Sequence, residues 1–410
     1  MKISENWLRE WVNPDIDTTT LVDQLTMAGL EVEGVEPAGP SLSLVVVAEV
    51  LSKQPHPNAD KLNLCQVTDG NETMPVICGA ANVRQGQKVV LAKIGAQLPE
   101  IKIKKAKLRG IESQGMICSA AELNLAESSE GILVLPDDAP VGLAITEYLK
   151  LDDNIIEVDL TPNRGDCLGV SGVAREVSAI NNIALSPPHL GEVSPDIEDS
   201  FPVELLAPEA CPRFVGRIIR NINPQATTPL WMQEKLRRCG LRPISPVVDI
   251  TNYVMMELGQ PMHGFDFDKL EGGIRVRMAE AGEKLALLDQ SEVECDDTTL
   301  VIADHNKALA MAGIMGGMES AVQSTTTSIF FEAAHFIHVK IAGKARRYGM
   351  HTDASHRFER GVDPQLPRIA MQRATELLIA IAGGEPGPVI EVTDEDNLPK
   401  QSQVHLRFSR

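Results

Sequence analysis

The chain has 410 residues, 43% of them hydrophobic and only 4% aromatic, which is enough for two to four domains with mostly aliphatic cores. Its formal charge of −19 argues against broad affinity for nucleic acid, so any RNA contact must be focused on a local surface. No apolar run approaches the roughly 20 residues of a membrane helix, and the charged, amphipathic start MKISENWLREW lacks the apolar stretch of a signal peptide.

The first segment reads as a helix, with Ser4 at its cap and Trp7, Leu8 and Trp11 on it. A second helix is expected from Thr18 or Thr19, with Leu21, Leu25 and Ala28 on one face and Gly29 at its end. Pro37, Gly39 and Pro40 mark a boundary. From Leu44 the pattern becomes short strands (LVVVAEVL, KVVLAKI, MICSA) separated by Pro, Gly and Asn, which points to a small barrel. Helical spacing returns in CLGVSGVAREVSAINN, with Asp166 as its expected cap. That helix should pack on the first two, so the barrel is an insertion in a discontinuous N-terminal domain.

Pro187, Pro188, Gly191 and Pro195 form the next linker. Pro229 opens the helix WMQEKLRRC, which Gly240 closes, and IRVRMA, TLVIAD and SIFFEAA read as strands. The final VHLRFSR looks like the beginning of a strand with nothing to pair with. The seven cysteines (65, 78, 118, 167, 211, 239 and 295) are scattered and never form a C-x-x-C pair. They read as reduced core thiols of a cytosolic protein, with no zinc site.

Several blocks resemble one family. QPHPNADKLNLCQV and KIKKAKLRGIESQGMICS are similar to the tRNA-binding OB domain inserted near the start of bacterial phenylalanine–tRNA ligase β chains. VVDITNYVMMELGQPMHGFD and FFEAAHFIHVKIAGKARRYGMHTDASHRFERGVDP resemble the editing region of the same family, and TPNRGDCLGV and PLWMQEKLRRCGLRP match it too. The resemblance covers essentially the whole chain and implies a multidomain α+β fold. A discontinuous α/β N-terminal domain (1–38 with 149–195) would carry an OB-fold β-barrel (39–148). A mixed α/β editing (B3/B4) domain would follow at 196–400, with 401–410 starting a further domain.

Lys102, Lys104, Lys105, Lys107 and Arg109 cluster on one ribbon and suit phosphate contact as point charges. Residues 41–150 nonetheless balance 11 Lys and Arg against 12 Asp and Glu, and residues 41–147 contain no Phe, Tyr or Trp on which bases would stack. Weak, sequence-independent contact with the RNA backbone and a merely solvated ribbon both fit.

A ligase for phenylalanine faces tyrosine, which is phenylalanine plus one hydroxyl. An apolar pocket rejects that addition only by roughly a hundredfold, whereas a second site that hydrogen-bonds the hydroxyl discriminates far better. Glu332 follows the apolar run Ile329–Phe331, so its carboxylate enters a core and needs a partner. By the resemblance it receives the tyrosine hydroxyl; otherwise it pairs with Arg346 or Arg357. His263, in GQPMHGFD, matches the family's editing histidine, where it orients water or contacts the terminal ribose. Otherwise it is a loop histidine holding backbone. Arg242 matches a family arginine near the pocket, or pairs with Asp249. Asn252 binds the amino acid or its linkage, or caps the helix around Tyr253.

Gly316 and Gly317, in AGIMGGMES, allow close backbone approach, and their N–H groups would hold a developing oxyanion unless they only form a turn. Thr352 and Ala354 match the pocket wall, the first offering a hydroxyl near the ester and the second leaving the slot open. The five-residue step between His351 and His356 does not place them on one helix face, so no metal site is expected. Lys344, Arg346 and Arg347, with Lys340, Arg357 and Arg360, either guide the 3′ end of the tRNA or form a salt-bridged surface.

No G-x-S-x-G elbow, P-loop or Ser/His/Asp order is present, so hydrolysis would use positioned water and the substrate's own ribose hydroxyl. The resemblance implies a cytoplasmic ligase of two α and two β chains, with ATP and magnesium used at a synthetic site on α. This stretch would need no cofactor of its own, bind tRNA(Phe) and hydrolyse mischarged Tyr-tRNA(Phe). Other readings are a non-catalytic RNA-binding or assembly module and, with no nucleophile to support it, a general esterase.

Overall fold

The computed structural model describes residues 1–188, 190–400 and 402–409. The chain separates into two compact units. One comprises Ser4–Asn6 and Gly34–Ile156; the other comprises Met1–Ile3, Trp7–Glu33 and Glu157–Arg410. No helix is long and apolar enough to cross a membrane, and all seven cysteines are buried.

Within the unit of residues 34–156, eight strands lie between residues 45 and 135. They are β1 (Val45–His56), β2 (Ala59–Thr68), β3 (Thr73–Cys78), β4 (Lys88–Lys93), β5 (Ala106–Leu108), β6 (Ile111–Ser113), β7 (Gly115–Ile117) and β8 (Val134–Leu135). The main sheet runs β8–β4–β1–β2–β3, with β7 also paired to β4. Val50, Val67, Val76 and Leu91 are buried in its aliphatic core, as the scarcity of aromatics demands. The ladder does not close into the barrel that the strand count predicts: β3 remains an edge among the described residues. β3 carries Pro75, a residue without an N–H that suits an edge strand, and the Pro75 carbonyl accepts from the Gln114 N–H at 2.8 Å. The end of the basic ribbon, with Lys107 and Arg109, forms a separate hairpin of β5 and β6, and Lys102, Lys104 and Lys105 precede it. Arg109 and Gly110 turn it with φ of +47° and +94°, the left-handed pair of a type I′ turn.

In the second unit, helix α1 (Glu5–Trp11) begins directly after Ser4, and α2 (Thr18–Met27) is capped by Asp17, whose carboxylate takes the Thr20 N–H at 2.8 Å. Helix α3 (Val170–Asn181) is not capped by Asp166. A 3-10 turn over Pro162–Cys167 intervenes, Gly169 takes the cap position, and Asp166 pairs instead with Arg164 at 3.1 Å. Helices α2 and α3 do pack together, with Gln24 and Asn181 exchanging hydrogen bonds of 3.1 and 2.8 Å. Pro229 precedes α4 (Leu230–Arg238), and α5 (Pro246–Leu258) follows. Trp7 stacks on Tyr253 of α5 at 4.8 Å, so the first helices and the later ones pack together.

Two sheets face each other across the main core. One runs β9 (Val203–Leu205), β12 (Ile274–Met278), β13 (Leu300–Ala303), β14 (Ala308–Met311), β15 (Met315–Gly316). The other runs β11 (Met262–Asp266), β16 (Ile329–His335), β10 (Arg213–Arg220), β17 (Glu385–Pro386), with β18 (Ile390–Thr393) also on β10. Alternation sends Phe214, Ile218, Phe265 and Phe330 into the core shared with Val276, Val301 and Leu309. Two further helices matter below, α6 (Asp353–Phe358) and α7 (Leu366–Ala382), the latter lying on β10 and β16. Residues 402–409 form no strand, having no neighbour to complete a ladder, and Gln401 and Arg410 at the ends of that segment lie outside the described residues.

The register makes one glycine critical. Gly216 lies opposite Glu332, and a Cβ there would stand 2.3 Å from the Phe330 ring. Gly216→Ala should lower unfolding free energy by about 1–3 kcal/mol in urea titration. Gly34→Ala, where a Cβ meets nothing within 4 Å, should be near neutral in the same assay.

Candidate active site

Glu332 occupies the centre of β16, with His263 of β11 opposite on one side and Gly216 of β10 on the other. Residues directly opposite in an antiparallel sheet share a face, so the carboxyl and the imidazole project side by side toward the core. Glu332 is 5% exposed, and neither an ion pair nor a hydrogen bond to its side chain is found among the described residues. Burial pushes its carboxyl up to about 8, so at neutral pH it is mainly the uncharged acid. His263 is partly exposed as a residue, yet its Nε2 is buried without a hydrogen-bond partner. Burial pushes its imidazole down to about 4, so it too is neutral.

Both side chains line a single pocket with Gly316 and Ala354. The glycine at 316 is obligatory: a Cβ there would lie 2.4 Å from His263 Cε1 and 2.7 Å from Nε2, so the imidazole occupies the space a side chain would take. His263 is fixed from the other side by Phe265, edge to face at 4.5 Å. The apolar wall includes Ile302, Met311, Met315, Phe336 and Phe358, none of which belongs to the motifs' candidates. Phe336 and Phe358 meet edge to face at 4.8 Å, and Gly313 turns beside them with φ of +68°. The cavity measures about 70 Å³. A benzene-binding cavity is nearer 150 Å³, so an aromatic side chain enters only if the wall yields. Met311 and Met315 are the pliable part of that wall.

Other candidates lie elsewhere. The Gly317 N–H donates to the Leu309 carbonyl at 2.7 Å, and a Cβ on Gly317 would point at that carbonyl rather than into the pocket. Gly317 is therefore a bridge residue, paired with Leu287, and its N–H is not a free oxyanion donor. The Thr352 hydroxyl accepts from the Ser355 N–H at 3.0 Å and donates to the Ile314 carbonyl at 2.9 Å. It caps α6, the helix of Ala354, and ties it to the turn before Gly316; it does not line the pocket. Arg242 is exposed in the loop between α4 and α5, while Asp249 takes the Ile244 N–H and the Thr228 hydroxyl instead of Arg242. Asn252 is half-buried in the middle of α5 and neither caps it nor lines the pocket. Arg357, offered as a partner for Glu332, pairs with Asp353 at 3.0 Å.

The cationic candidates divide in two. Lys102, Lys104, Lys105, Lys107 and Arg109 are all exposed, and Lys105 pairs with Glu112 at 2.8 Å. Lys344 donates to Thr298 at 2.5 Å, and Arg347 pairs with Asp296 at 2.5 Å. The Thr298 hydroxyl and that guanidinium help to hold the Asp296 carboxyl down at about 2. Arg346 is exposed.

Comparison with known proteins accords with this division. Residues 210–383 match the B3/4 domain family, and residues 45–144 match a putative tRNA binding domain. The phenylalanine–tRNA ligase beta subunit of Pectobacterium atrosepticum is 56% identical over 409 residues, covering 99% of this chain and 51% of the relative. That of Pseudomonas syringae pv. syringae is 59% identical over 411 residues, covering 100% of this chain and 52% of the relative. The chain thus joins a region of the putative tRNA binding domain family to a B3/4 domain, in a mixed α/β architecture. It belongs to the family of phenylalanine–tRNA ligase beta subunits and spans about half the length of the curated relatives it matches.

The buried acid has a stability signature. Because its folded value of about 8 lies above the ordinary 4.5, the native state holds a proton that the unfolded state releases between those values. Stability from this group is complete below about 4.5 and is lost as pH rises through about 8. Glu332→Gln should therefore gain stability relative to the parent as pH is raised across that window, read from urea midpoints at several pH values.

Proposed function

We propose that this chain is the tRNA-binding and proofreading part of a phenylalanine–tRNA ligase β subunit, and that its pocket hydrolyses tyrosine wrongly esterified to tRNA(Phe). The carrying observation is that a neutral carboxylic acid, Glu332, and a neutral imidazole, His263, stand side by side in one pocket with Gly316 and Ala354. A protonated carboxyl both donates and accepts, so it can satisfy a phenolic hydroxyl. A phenylalanyl ring would leave those buried polar groups unpaired. His263 would position the attacking water or the terminal ribose, and Ala354 keeps the slot open.

We further read residues 39–148 as an OB-type domain inserted in a discontinuous one (1–38 and 149–195), ahead of an editing domain at 196–400. The exposed cations Lys102 and Lys104, just before the hairpin, and Lys107 and Arg109 within it would follow the RNA backbone. Arg346, with Lys344 and Arg347, would stand near its 3′ end. Arg242, Asn252 and Gly317 keep at most an indirect part in substrate binding, and Thr352 acts through the wall it ties together. The complete enzyme would be a cytoplasmic α2β2 tetramer using ATP and Mg2+ on its α chains. The small cavity favours one rival, a module that binds tRNA while its pocket serves only folding.

Deacylation of tyrosyl-tRNA(Phe) by the complete two-subunit enzyme separates these readings. Glu332→Ala or His263→Ala should slow hydrolysis by about 10²-fold or more, and Ala354→Trp should abolish it with folding intact. Unchanged hydrolysis in all three would refute the editing reading. Replacing Lys102, Lys104 and Lys107 by Ala should weaken tRNA binding and lower its salt slope by about one for each phosphate no longer neutralised.

A further inference from the structure

Helix α6 walls two cavities. Ala354 and Phe358 border the pocket described above, whereas Asp353, His356 and Arg357 border a second one of about 240 Å³. Lys2, His351 and Met256 also line this second space. Arg357 is 2% exposed and is held by the Leu168 carbonyl at 3.0 Å and by Asp353 through both its carbonyl (2.9 Å) and its carboxylate (3.0 Å). Its remaining nitrogen, Nη2, meets the sulfur of Met256 at 3.2 Å, a weak acceptor for a buried guanidinium. His356 Nδ1 is buried and has no hydrogen-bond partner. Two residues with under-satisfied nitrogens therefore border one cavity, a costly arrangement unless an oxygen-rich ligand completes it.

The surrounding charge selects the sign of that ligand. Burial lowers the His356 imidazole to about 4, and Arg360, Arg357 and His351 act in the same direction against the smaller opposing pull of Glu359, as a locally positive field does. A bound cation would meet Lys2, which also faces Glu157 at 3.6 Å, and Arg357, which already engages the Asp353 carboxylate of the lining at 3.0 Å. The ligating atoms of His351, Asp353 and His356 do not converge either: among the described residues, the one group that does is Asp166, Cys167 and Glu176. There Arg164 already pairs with Asp166 at 3.1 Å and Glu176 at 2.9 Å.

We infer that this second cavity is a phosphate site, bounded by Arg357, His356 and Lys2, and that it takes a phosphodiester of the RNA strand whose aminoacyl end enters the first pocket. The assignment to RNA rests on the proofreading reading; the affinity for phosphate does not. Sharing α6 gives the arrangement its use: a phosphate anchored on one side of the helix would set the ester against Glu332 and His263 on the other.

The test has two arms. In the first, inorganic phosphate is added to the chain and the His356 ring is followed by NMR. Binding should raise its pKa by about one to three units, with the rise lost in Lys2→Gln and in His351→Gln still present. No rise in the unaltered chain overturns the site. In the second, the complete enzyme hydrolyses tyrosyl-tRNA(Phe). Lys2→Gln and His356→Leu should each raise KM about tenfold, roughly one phosphate contact, with kcat little changed and partial rescue by His356→Gln. A phosphate response with unchanged KM would overturn the RNA assignment and leave free phosphate as the ligand. Absence of hydrolysis in the unaltered enzyme would overturn the proofreading reading and the RNA assignment resting on it, while the first arm still decides the site itself.

Discussion

The arrangement depends on placing an ionisable carboxyl in the middle strand of a buried sheet. Glu332 lies between His263 and Gly216 and faces a core of Phe214, Phe265 and Phe330. A charged carboxylate there would lose its hydration with no cation in compensation. Keeping the proton is the cheaper course, and it turns the residue from an acceptor into a group that also donates. The same dryness keeps His263 neutral. On the proposed reading, two neutral polar groups with unmet hydrogen-bonding capacity would detect a hydroxyl, and an apolar ring would offer them nothing.

The surroundings follow from that choice. Gly216 has no side chain, so the tip of the Phe330 ring can occupy that space, and Gly316 has none, so the imidazole can stand in its place. Thr352 fixes the start of α6 and, through the Ile314 carbonyl, the turn that leads to Gly316. Met311 and Met315 leave part of the wall adaptable. The result is a polar end beside an adaptable apolar wall, which under the proposed function would admit a ring and meet its far edge.

Much of this was legible in the residues. SIFFEAA reads as a buried strand because its apolar run is unbroken, and the glutamate inside it is anomalous on physical grounds alone. The family resemblance then joins it to His263, Gly316 and Ala354, residues far apart in sequence that local pattern alone could not connect. Thr352 and Gly317 were legible as pocket neighbours but not in their roles, because a hydroxyl or an N–H looks the same in sequence whether it meets a substrate or the backbone beside it. Asp166 misled in the same way: its side chain competes between capping and a nearby arginine, and Arg164 wins. Strand β10, at the centre of its sheet, was hidden by the arginines of RFVGRIIR. One of them, Arg217, is fully buried and is satisfied by the Gly387 and Val193 carbonyls and by Gln372. Closure of the barrel was not legible, since strand count says nothing about whether Pro75 and its neighbours complete a ladder.

The central claim concerns a proton on Glu332, and infrared difference spectroscopy of the unaltered chain against Glu332→Gln observes it directly. The account predicts a carboxylic-acid carbonyl band at neutral pH that gives way to a carboxylate band as pH passes about 8. A carboxylate band already complete at pH values near the ordinary 4.5 would contradict it.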